Sequence, residues 1–197
     1  MGAFVLQVII LLMSLCNLLN AAISCYGNDK QAVDWFIVYK LPVYYTKKLN
    51  AKYTFPPHLY MDSRNPNFQF LTQSLNETSQ AVAYTLQQAY ANRQSHFVKM
   101  LVSVQDVGYI FYNDEKPLAA GGGVTEKYGH TKGVTIFDES TALWLIHSVP
   151  KFPPPTNTSY SYPDTGVYYG QHMMCVSVST ATDVSNIGVC VCVCVCR

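Results

Sequence analysis

The stretch from Tyr128 to Pro150 decides the fold and reads YGHTKGVTIFDESTALWLIHSVP. Two apolar runs flank the polar residues Asp138 to Thr141, a pattern that predicts a β-hairpin. Because residues two apart on a strand share a face, His130 and Lys132 are expected to project to the same side. Such a pair suits phosphate chemistry: lysine binds a non-bridging oxygen, and histidine attacks phosphorus or moves a proton. The spacing alone is a weak signal, since an ordinary surface pair at a strand end has it too.

The second apolar run carries a further histidine. His147 alternates with Trp144 and Ile146, so the pattern places it on the opposite face of the strand from them. Two interpretations stay open: a core histidine satisfied by backbone, or one that orients a site or contacts phosphate. Asp138 is predicted to be the residue that forms the hairpin turn and is left out of the candidate site.

Four blocks of sequence together resemble the deoxyribonuclease II family. They are CYG from Cys25 with VDWFIVYKLP ending at Pro42, YGHTKG from Tyr128, WLIHSVPKFPPP from Trp144, and YGQ with CVS ending at Ser177. The resemblance extends from about residue 25 to about residue 179. It implies a lysosomal or secreted acid endonuclease with a phospholipase-D-like fold, which needs no metal or other cofactor and leaves 3′-phosphate ends on its DNA substrate. The family joins two His-x-Lys motifs, and this sequence contains only the first.

The resemblance also assigns site residues. It implies that His130 and Lys132 are catalytic and that His147 supports the site. Asn113, in the aromatic-Asn-Asp end of a predicted strand, is a candidate for the edge of the site, with a turn asparagine as the favoured alternative. Cys25 and Cys175 both lie in family-like blocks and are expected to form a disulfide, and no metal site is expected.

The N-terminal residues 1–24 are predicted to be a cleaved signal peptide, with a membrane anchor as the alternative. The apolar run is short, and small residues follow it, but no basic residue precedes Lys30. A signal peptide implies export to an oxidising compartment. Glycosylation is therefore expected at Asn76 and Asn157, each of which lies in an Asn-x-Ser/Thr triplet. At Asn76 a helix N-cap is the alternative. No stable membrane anchor is expected.

The fold class is predicted to be α+β: a mixed β-sheet flanked by helices, forming one truncated phospholipase-D-like half-domain. The clearest helix spans Thr78 to Arg93, where an apolar stripe recurs at helical spacing. Trp35 to Leu41 is predicted to be a strand buried on both faces, and a short strand is expected near His58, itself interpreted as an exposed loop histidine. Gly108 to Tyr112 is predicted to be a strand.

Composition limits the partners. The chain has 197 residues and a formal net charge of +1, so no global basic field indicates a nucleic-acid partner, and any polyanion site must be local. Residues 25–180 are predicted to form the family-like N-terminal half. Residues 181–197 are predicted to be a low-complexity Val-Cys tail, disordered or non-native, because GTGTGT repeats encode Val-Cys. A thiolate metal site and a sticky edge strand are the alternatives for its four tail cysteines, Cys190, Cys192, Cys194 and Cys196.

Two functions follow from the sequence. The first is a deoxyribonuclease II-type endonuclease acting on DNA, whose missing second motif comes from a second copy in a homodimer. The second is a truncated, catalytically inactive product that holds phosphate weakly. Coding sequence downstream with a second His-x-Lys block would discriminate between them.

Overall fold

The computed structural model describes residues 22–44, 55–91, 107–117, 121–124, 131–180, 182–183 and 185–187. His130, the segment Phe97 to Gln105, most of the predicted signal peptide and the Val-Cys repeat lie outside these residues. The strands and helices, in chain order, are β1 (Cys25–Tyr26), β2 (Ala32–Val33), β3 (Trp35–Lys40), β4 (His58–Asp62), β5 (Asn65–Leu71), α1 (Ala81–Ala91), β6 (Gly108–Asn113), β7 (Glu115–Lys116), β8 (Gly123–Val124), β9 (Lys132–Phe137), β10 (Ala142–His147), a 3-10 turn (Asp164–Gly166) and β11 (Gln171–Val178).

One large sheet organises the described part of the chain. It has seven strands in the order β5-β4-β3-β11-β10-β9-β6, and every neighbouring pair is antiparallel. The α+β class is confirmed, whereas the expectation of a mixed sheet is wrong for these strands. Parallel neighbours require a crossover between them. Here α1 lies between β5 and β6 in the sequence. These two strands are at opposite edges of the sheet, so they are not neighbours.

The hairpin predicted from Tyr128 to Pro150 is present as β9 and β10, paired from Ala142↔Phe137 to Ile146↔Gly133. Asp138 closes its turn by accepting hydrogen bonds from the backbone N–H groups of Ser140 and Thr141, both at 2.7 Å. Burial alone would raise the pKa of Asp138, but these hydrogen bonds outweigh it and lower the pKa. The prediction of a turn aspartate is confirmed.

The core lies on one face of the sheet, against α1. The helix is three residues shorter at its start than predicted, and its apolar stripe is buried as expected. Core side chains alternate along the strands, as at Phe36 and Val38 in β3. Tyr39 in the same strand is 40% exposed, so the prediction that β3 is buried on both faces is wrong. Each fully buried aliphatic or aromatic side chain contributes about 1.5–3 kcal/mol to stability.

The predicted disulfide joins Cys25 in β1 to Cys175 in β11, with a Cα–Cα distance of 6.0 Å. Both residues are fully buried in the core. The bond links two segments separated by 150 positions in the sequence. It therefore fixes the start of the described chain to the centre of the sheet.

Strands β4 and β5 revise two expectations. The short strand near His58 is confirmed, but His58 is only 1% exposed, so its interpretation as an exposed loop histidine is wrong. Its strand lies between two others, and its side chain points to the core face beside Lys40. Strand β5 has no counterpart among the predicted elements, because NPNFQFL contains proline and polar residues; as an exposed edge strand it tolerates both.

The two glycosylation triplets lie in loops. Asn157 is exposed, as expected for the Pro-rich segment around it. Asn76 lies before α1, which begins at Ala81, so Asn76 is not the N-cap of this helix. Its Oδ1 accepts a hydrogen bond from the backbone N–H of Tyr162 at 2.8 Å. Within the described ranges, no helix is long and apolar enough to cross a membrane.

Candidate active site

Three neighbouring strands end at the same place and bring the candidate residues together. Asn113 at the end of β6 pairs with Lys132 at the start of β9. The register of β9 with β10 places His147 next to Lys132, one position beyond the pair Ile146↔Gly133. The structure thus brings Lys132, His147 and Asn113 into one row on the core face of the sheet.

Lys132 is buried and charge-paired. Its side chain is 2% exposed, and its Nζ donates a hydrogen bond to Oδ1 of Asp114, whose side chain is 7% exposed. The sequence prediction missed Asp114, although it noted the aromatic-Asn-Asp motif that contains it. A carboxylate beside a buried ammonium holds the ammonium in position. Lys132 is therefore a fixed cation at the end of the sheet.

Position 133, directly after Lys132, requires glycine for steric reasons. A Cβ at this position would collide with the Tyr112 ring and hydroxyl and approach the carbonyl oxygen of Leu145 at 2.8 Å. The Tyr112 hydroxyl in turn accepts a hydrogen bond from Trp144 Nε1 at 2.8 Å. This contact ties β6 to β10 across β9 and holds the strand end that carries Lys132.

His147 is 4% exposed and packs edge-on against Phe152, with ring centroids 5.3 Å apart. Its Nδ1 accepts a hydrogen bond from the backbone N–H of Val149 at 3.2 Å, while its buried Nε2 has no hydrogen-bond partner among the residues that the structure describes. The pKa of His147 is lowered to about 3, mainly by burial; electrostatic interactions with Lys132 and His172 act in the same direction, and the hydrogen bond with the Val149 backbone opposes them. The imidazole is therefore neutral, with its proton on Nε2.

This arrangement combines both interpretations of His147. One nitrogen accepts a hydrogen bond from the backbone, as in a core histidine, and the other is a buried N–H donor on the strand next to Lys132. A neutral donor can bind an anionic oxygen, but a group with so low a pKa cannot serve as the general acid near pH 5.

Asn113 acts on the loop that follows His147. Its Nδ2 donates to the carbonyl oxygens of Val149 at 3.1 Å and Phe152 at 2.9 Å, and its Oδ1 accepts from the N–H of Glu115 at 2.8 Å. These contacts fit the turn asparagine that was the alternative interpretation. They also hold Phe152 against the His147 ring, so Asn113 positions the site from its edge.

A second set of polar residues at this end of the sheet was not predicted. Lys40 is fully buried, and its Nζ donates to the carbonyl oxygens of Leu41 at 3.0 Å, Val167 at 2.9 Å and Tyr169 at 2.6 Å. Next to Lys40, Gln171 accepts a hydrogen bond from the hydroxyl group of Ser148, the residue that directly follows His147. Buried polar side chains thus lie at this end of the sheet on β3 and β11 as well as on β9 and β10.

The described residues contain no group of three or more His, Cys, Asp or Glu side chains that could hold a metal ion. What they do contain at this end is a buried cation and a neutral imidazole donor. The site defined by these groups is suited to a phosphate oxygen.

Comparison with known proteins identifies the family. Residues 24–194 match the model of the family described as Deoxyribonuclease II. Similar proteins include Deoxyribonuclease-2-alpha of Mus musculus, 35% identical over 80% of this chain and 41% of its own length. Cell death-related nuclease 6 of Caenorhabditis elegans is 38% identical over 88% of this chain and 43% of its own. Deoxyribonuclease-2-beta of Homo sapiens is 36% identical over 85% and 44%.

The chain belongs to the deoxyribonuclease II family, as the resemblance predicted. It spans less than half the length of these relatives.

The two buried histidines make stability depend on pH. Burial lowers the pKa of His58 to about 4, although a hydrogen bond with the Gln73 backbone opposes the shift, and that of His147 to about 3. Because the unfolded chain binds these protons near pH 6.5, the stability present above pH 6.5 is lost as the pH falls towards these values. We expect each histidine to account for a loss of about 3 kcal/mol at pH 4.

Urea unfolding at pH 7 and pH 4 measures this loss. His58→Gln should reduce the difference between the two pH values, whereas His172→Gln, at an exposed position, should change it much less. A wild-type free energy of unfolding that is equal at both pH values would contradict the prediction.

Proposed function

We propose that this chain supplies one half of the active site of a metal-independent acid endonuclease, which hydrolyses DNA phosphodiesters and leaves 3′-phosphate ends. The observation that carries the proposal is the buried Lys132 next to His147 on the neighbouring strand, in a chain of the deoxyribonuclease II family. Both groups can bind the oxygens of one phosphate, and neither requires a metal.

Lys132 neutralises a non-bridging oxygen of the scissile phosphate. The phosphate shares or displaces the Asp114 carboxylate, which holds the ammonium in place when no substrate is bound. His147 donates a hydrogen bond from its Nε2–H group to a second phosphate oxygen. Since its imidazole stays neutral, it stabilises charge without supplying the catalytic proton.

The covalent step belongs to His130. Its imidazole attacks phosphorus, forming an N–P bond as the bond to the 5′-oxygen breaks, and a second, protonated histidine donates to that leaving oxygen. Water then hydrolyses the phosphohistidine and releases the 3′-phosphate. An acidic compartment suits this division of roles between a nucleophilic and an acidic histidine. One of the two imidazoles must be protonated, and free histidine titrates near pH 6.5.

The second histidine must come from outside this chain's single motif. A homodimer would supply it, because a two-fold axis can place two copies of His130 and Lys132 on one phosphate. The alternative function is an inactive half-site that binds phosphate weakly.

Nicking of supercoiled plasmid by the purified protein tests the proposal. We expect cleavage to be faster at pH 5 than at pH 8, unchanged by EDTA, and steeper than linear in protein concentration, because the dimer is the active species. His130→Ala should abolish it.

Three results would contradict parts of the proposal. Complete loss of cleavage in EDTA would exclude the metal-free mechanism. A specific activity independent of dilution would exclude a dissociating dimer. Activity unchanged in His130→Ala would place the chemistry in other residues.

The cellular context is proposed on the same basis. A signal peptide over residues 1–24, glycans on Asn76 and Asn157, and a lysosomal or secreted location fit a family-like domain over residues 25–180. The Cys25–Cys175 bond agrees with folding in an oxidising compartment. Peptide mapping of the secreted protein would locate the mature N-terminus and the glycans.

A further inference from the structure

We propose that Lys151 binds a non-scissile phosphate of the DNA backbone and so holds the duplex in position over the Lys132 site. The inference rests on the proposed function and deepens it, because it adds a second contact for the same substrate. Contacts of this kind fix the position of a nucleic acid without reading its sequence.

Lys151 has an uncommon backbone conformation. It lies in the turn that follows β10, with a φ angle of 58°. Positive φ angles are uncommon for residues other than glycine, and asparagine and aspartate adopt them more readily than lysine does. Backbone preference therefore does not explain a long basic side chain here. Such conformations persist where the surrounding structure holds them, and they cluster at functional sites.

Hydrogen bonds hold the turn around Lys151 on both sides. Nδ2 of Asn113 donates to the carbonyl oxygens of Val149 at 3.1 Å and Phe152 at 2.9 Å, on either side of the lysine. The backbone N–H of Lys151 itself donates to the carbonyl oxygen of Glu115 at 3.1 Å. The position of Lys151 is therefore fixed before a ligand binds, which lowers the entropy cost of binding.

The same contacts connect Lys151 to the candidate active site. Asn113, which holds the turn, is the strand partner of Lys132, and paired α-carbons lie about 5 Å apart. Phe152, the residue after Lys151, packs on the ring of His147, with centroids 5.3 Å apart. DNA bound at Lys132 therefore has further phosphates close to this turn, since successive nucleotides of one strand rise by only about 3.4 Å.

The side chain of Lys151 is free to bind a ligand. It is partly exposed, and its ammonium group forms no ion pair or hydrogen bond within the described part of the chain. Lys30 gives a comparison, because its φ angle is 62° but its ammonium lies over the Tyr84 ring, 5.7 Å from the centroid. A contact within the protein thus accounts for the side chain of Lys30, and none among the described residues accounts for that of Lys151.

Charge also favours a phosphate contact at Lys151. Lys132 is paired with Asp114 and the imidazole of His147 is neutral, so the candidate active site carries little net charge. The whole chain has a formal net charge of only +1. Affinity for DNA comes largely from basic side chains that neutralise phosphates and release counterions. Lys151 supplies such a charge beside the site without competing with the buried ion pair.

The salt dependence of duplex binding tests the inference. The protein carries His130→Ala so that a labelled duplex of about 20 base pairs stays intact, and anisotropy is measured at pH 5 in EDTA between about 50 and 200 mM NaCl. We expect Lys151→Asn to reduce the slope of log K against log [NaCl] by about 0.9, the value for one phosphate contact. Lys151→Arg should keep the slope. Asparagine suits the left-handed backbone, so Lys151→Asn removes the charge and keeps the turn.

Lys30→Asn is the matched control. It removes a lysine from an equally left-handed position in the turn between β1 and β2. Gly27 of the same turn lies against Asp62 in β4, four strands away from β9. Lys30→Asn should therefore leave the slope unchanged.

Three results of the binding experiment would overturn the inference. The first is an unchanged slope in Lys151→Asn. The second is an equal change in Lys30→Asn, which would indicate a response to net charge alone. The third is the absence of any duplex binding by the His130→Ala protein.

Kinetics distinguish a flanking phosphate from the scissile one. With His130 present, Lys151→Asn should raise KM for plasmid by about three- to tenfold and leave kcat within about twofold. The reason is that a contact with a non-reacting phosphate is the same in the ground state and the transition state. A fall in kcat with unchanged KM would place Lys151 on the scissile phosphate and overturn the assignment.

The outcomes separate this inference from the proposed function. If plasmid is not nicked but Lys151→Asn still reduces the slope of duplex binding, Lys151 binds phosphate and the catalytic proposal fails. If plasmid is nicked and Lys151→Asn changes neither the slope nor KM, the inference alone fails.

Discussion

Removal of the Cys25–Cys175 bond is expected to lower the free energy of unfolding by about 5 kcal/mol, the largest stability effect that the structure indicates. The bond closes a loop of 150 residues, and in the chain-entropy model longer loops give larger stabilisation. Small domains are stable by only about 5–15 kcal/mol, so the variant should be marginally folded at 37 °C.

The measurement is urea unfolding of Cys25→Ala/Cys175→Ala, in a background where the four tail cysteines are serine so that no other thiol pairs. Wild-type protein in reducing agent is the control, because it loses the cross-link but keeps the sulfur atoms in the core. The two should lose similar stability. A loss below about 1 kcal/mol in both would mean that the unfolded chain is already compact around these segments.

The sequence predicted those elements of the fold that depend on residues close together in the chain. The β9–β10 hairpin follows from two apolar runs around Asp138, and α1 follows from a stripe with helical spacing. The disulfide followed from the family resemblance, since both cysteines lie in family-like blocks. In each case the residues that carry the signal are neighbours in sequence or belong to a known motif.

The errors concern residues whose environment is made by distant parts of the chain. His58 was expected to be exposed because polar, Pro-rich sequence surrounds it, yet β3 and β5 on either side bury it. No sequence pattern singled out Lys40, because the carbonyl groups that bind it come mostly from residues more than 120 positions away. The edge strand β5 forms only because β4 is there to pair with it.

Asp114 is the instructive omission at the site. The sequence directed attention to Asp138, which lies on the same hairpin as Lys132, but that carboxylate is used in the turn. The carboxylate that pairs with Lys132 comes from the end of the neighbouring strand β6. Strand register, which no single segment encodes, decides which acid meets the lysine.

Lys132→Met is expected to have the largest effect on activity, with two separate consequences. Cleavage should fall by about 100-fold to 1,000-fold, because one preorganised group that stabilises the charge on the phosphate is lost. Stability should also fall, by about 3–5 kcal/mol, since the buried Asp114 carboxylate loses the ammonium with which it pairs. Lys116→Met, at an exposed lysine nearby, should do neither.

The double variant Lys132→Met/Asp114→Leu separates the two consequences. Replacing both members of a buried ion pair by apolar side chains usually restores most of the stability lost by removing one. We therefore expect urea unfolding close to wild type, together with plasmid nicking as slow as in Lys132→Met. If nicking recovers along with stability, Lys132 serves the fold alone, and the cation that binds the scissile phosphate lies elsewhere in the chain. If neither stability nor nicking recovers, the Asp114 carboxylate does more than neutralise the charge of the lysine. Its contacts at the end of β6 then support the site independently.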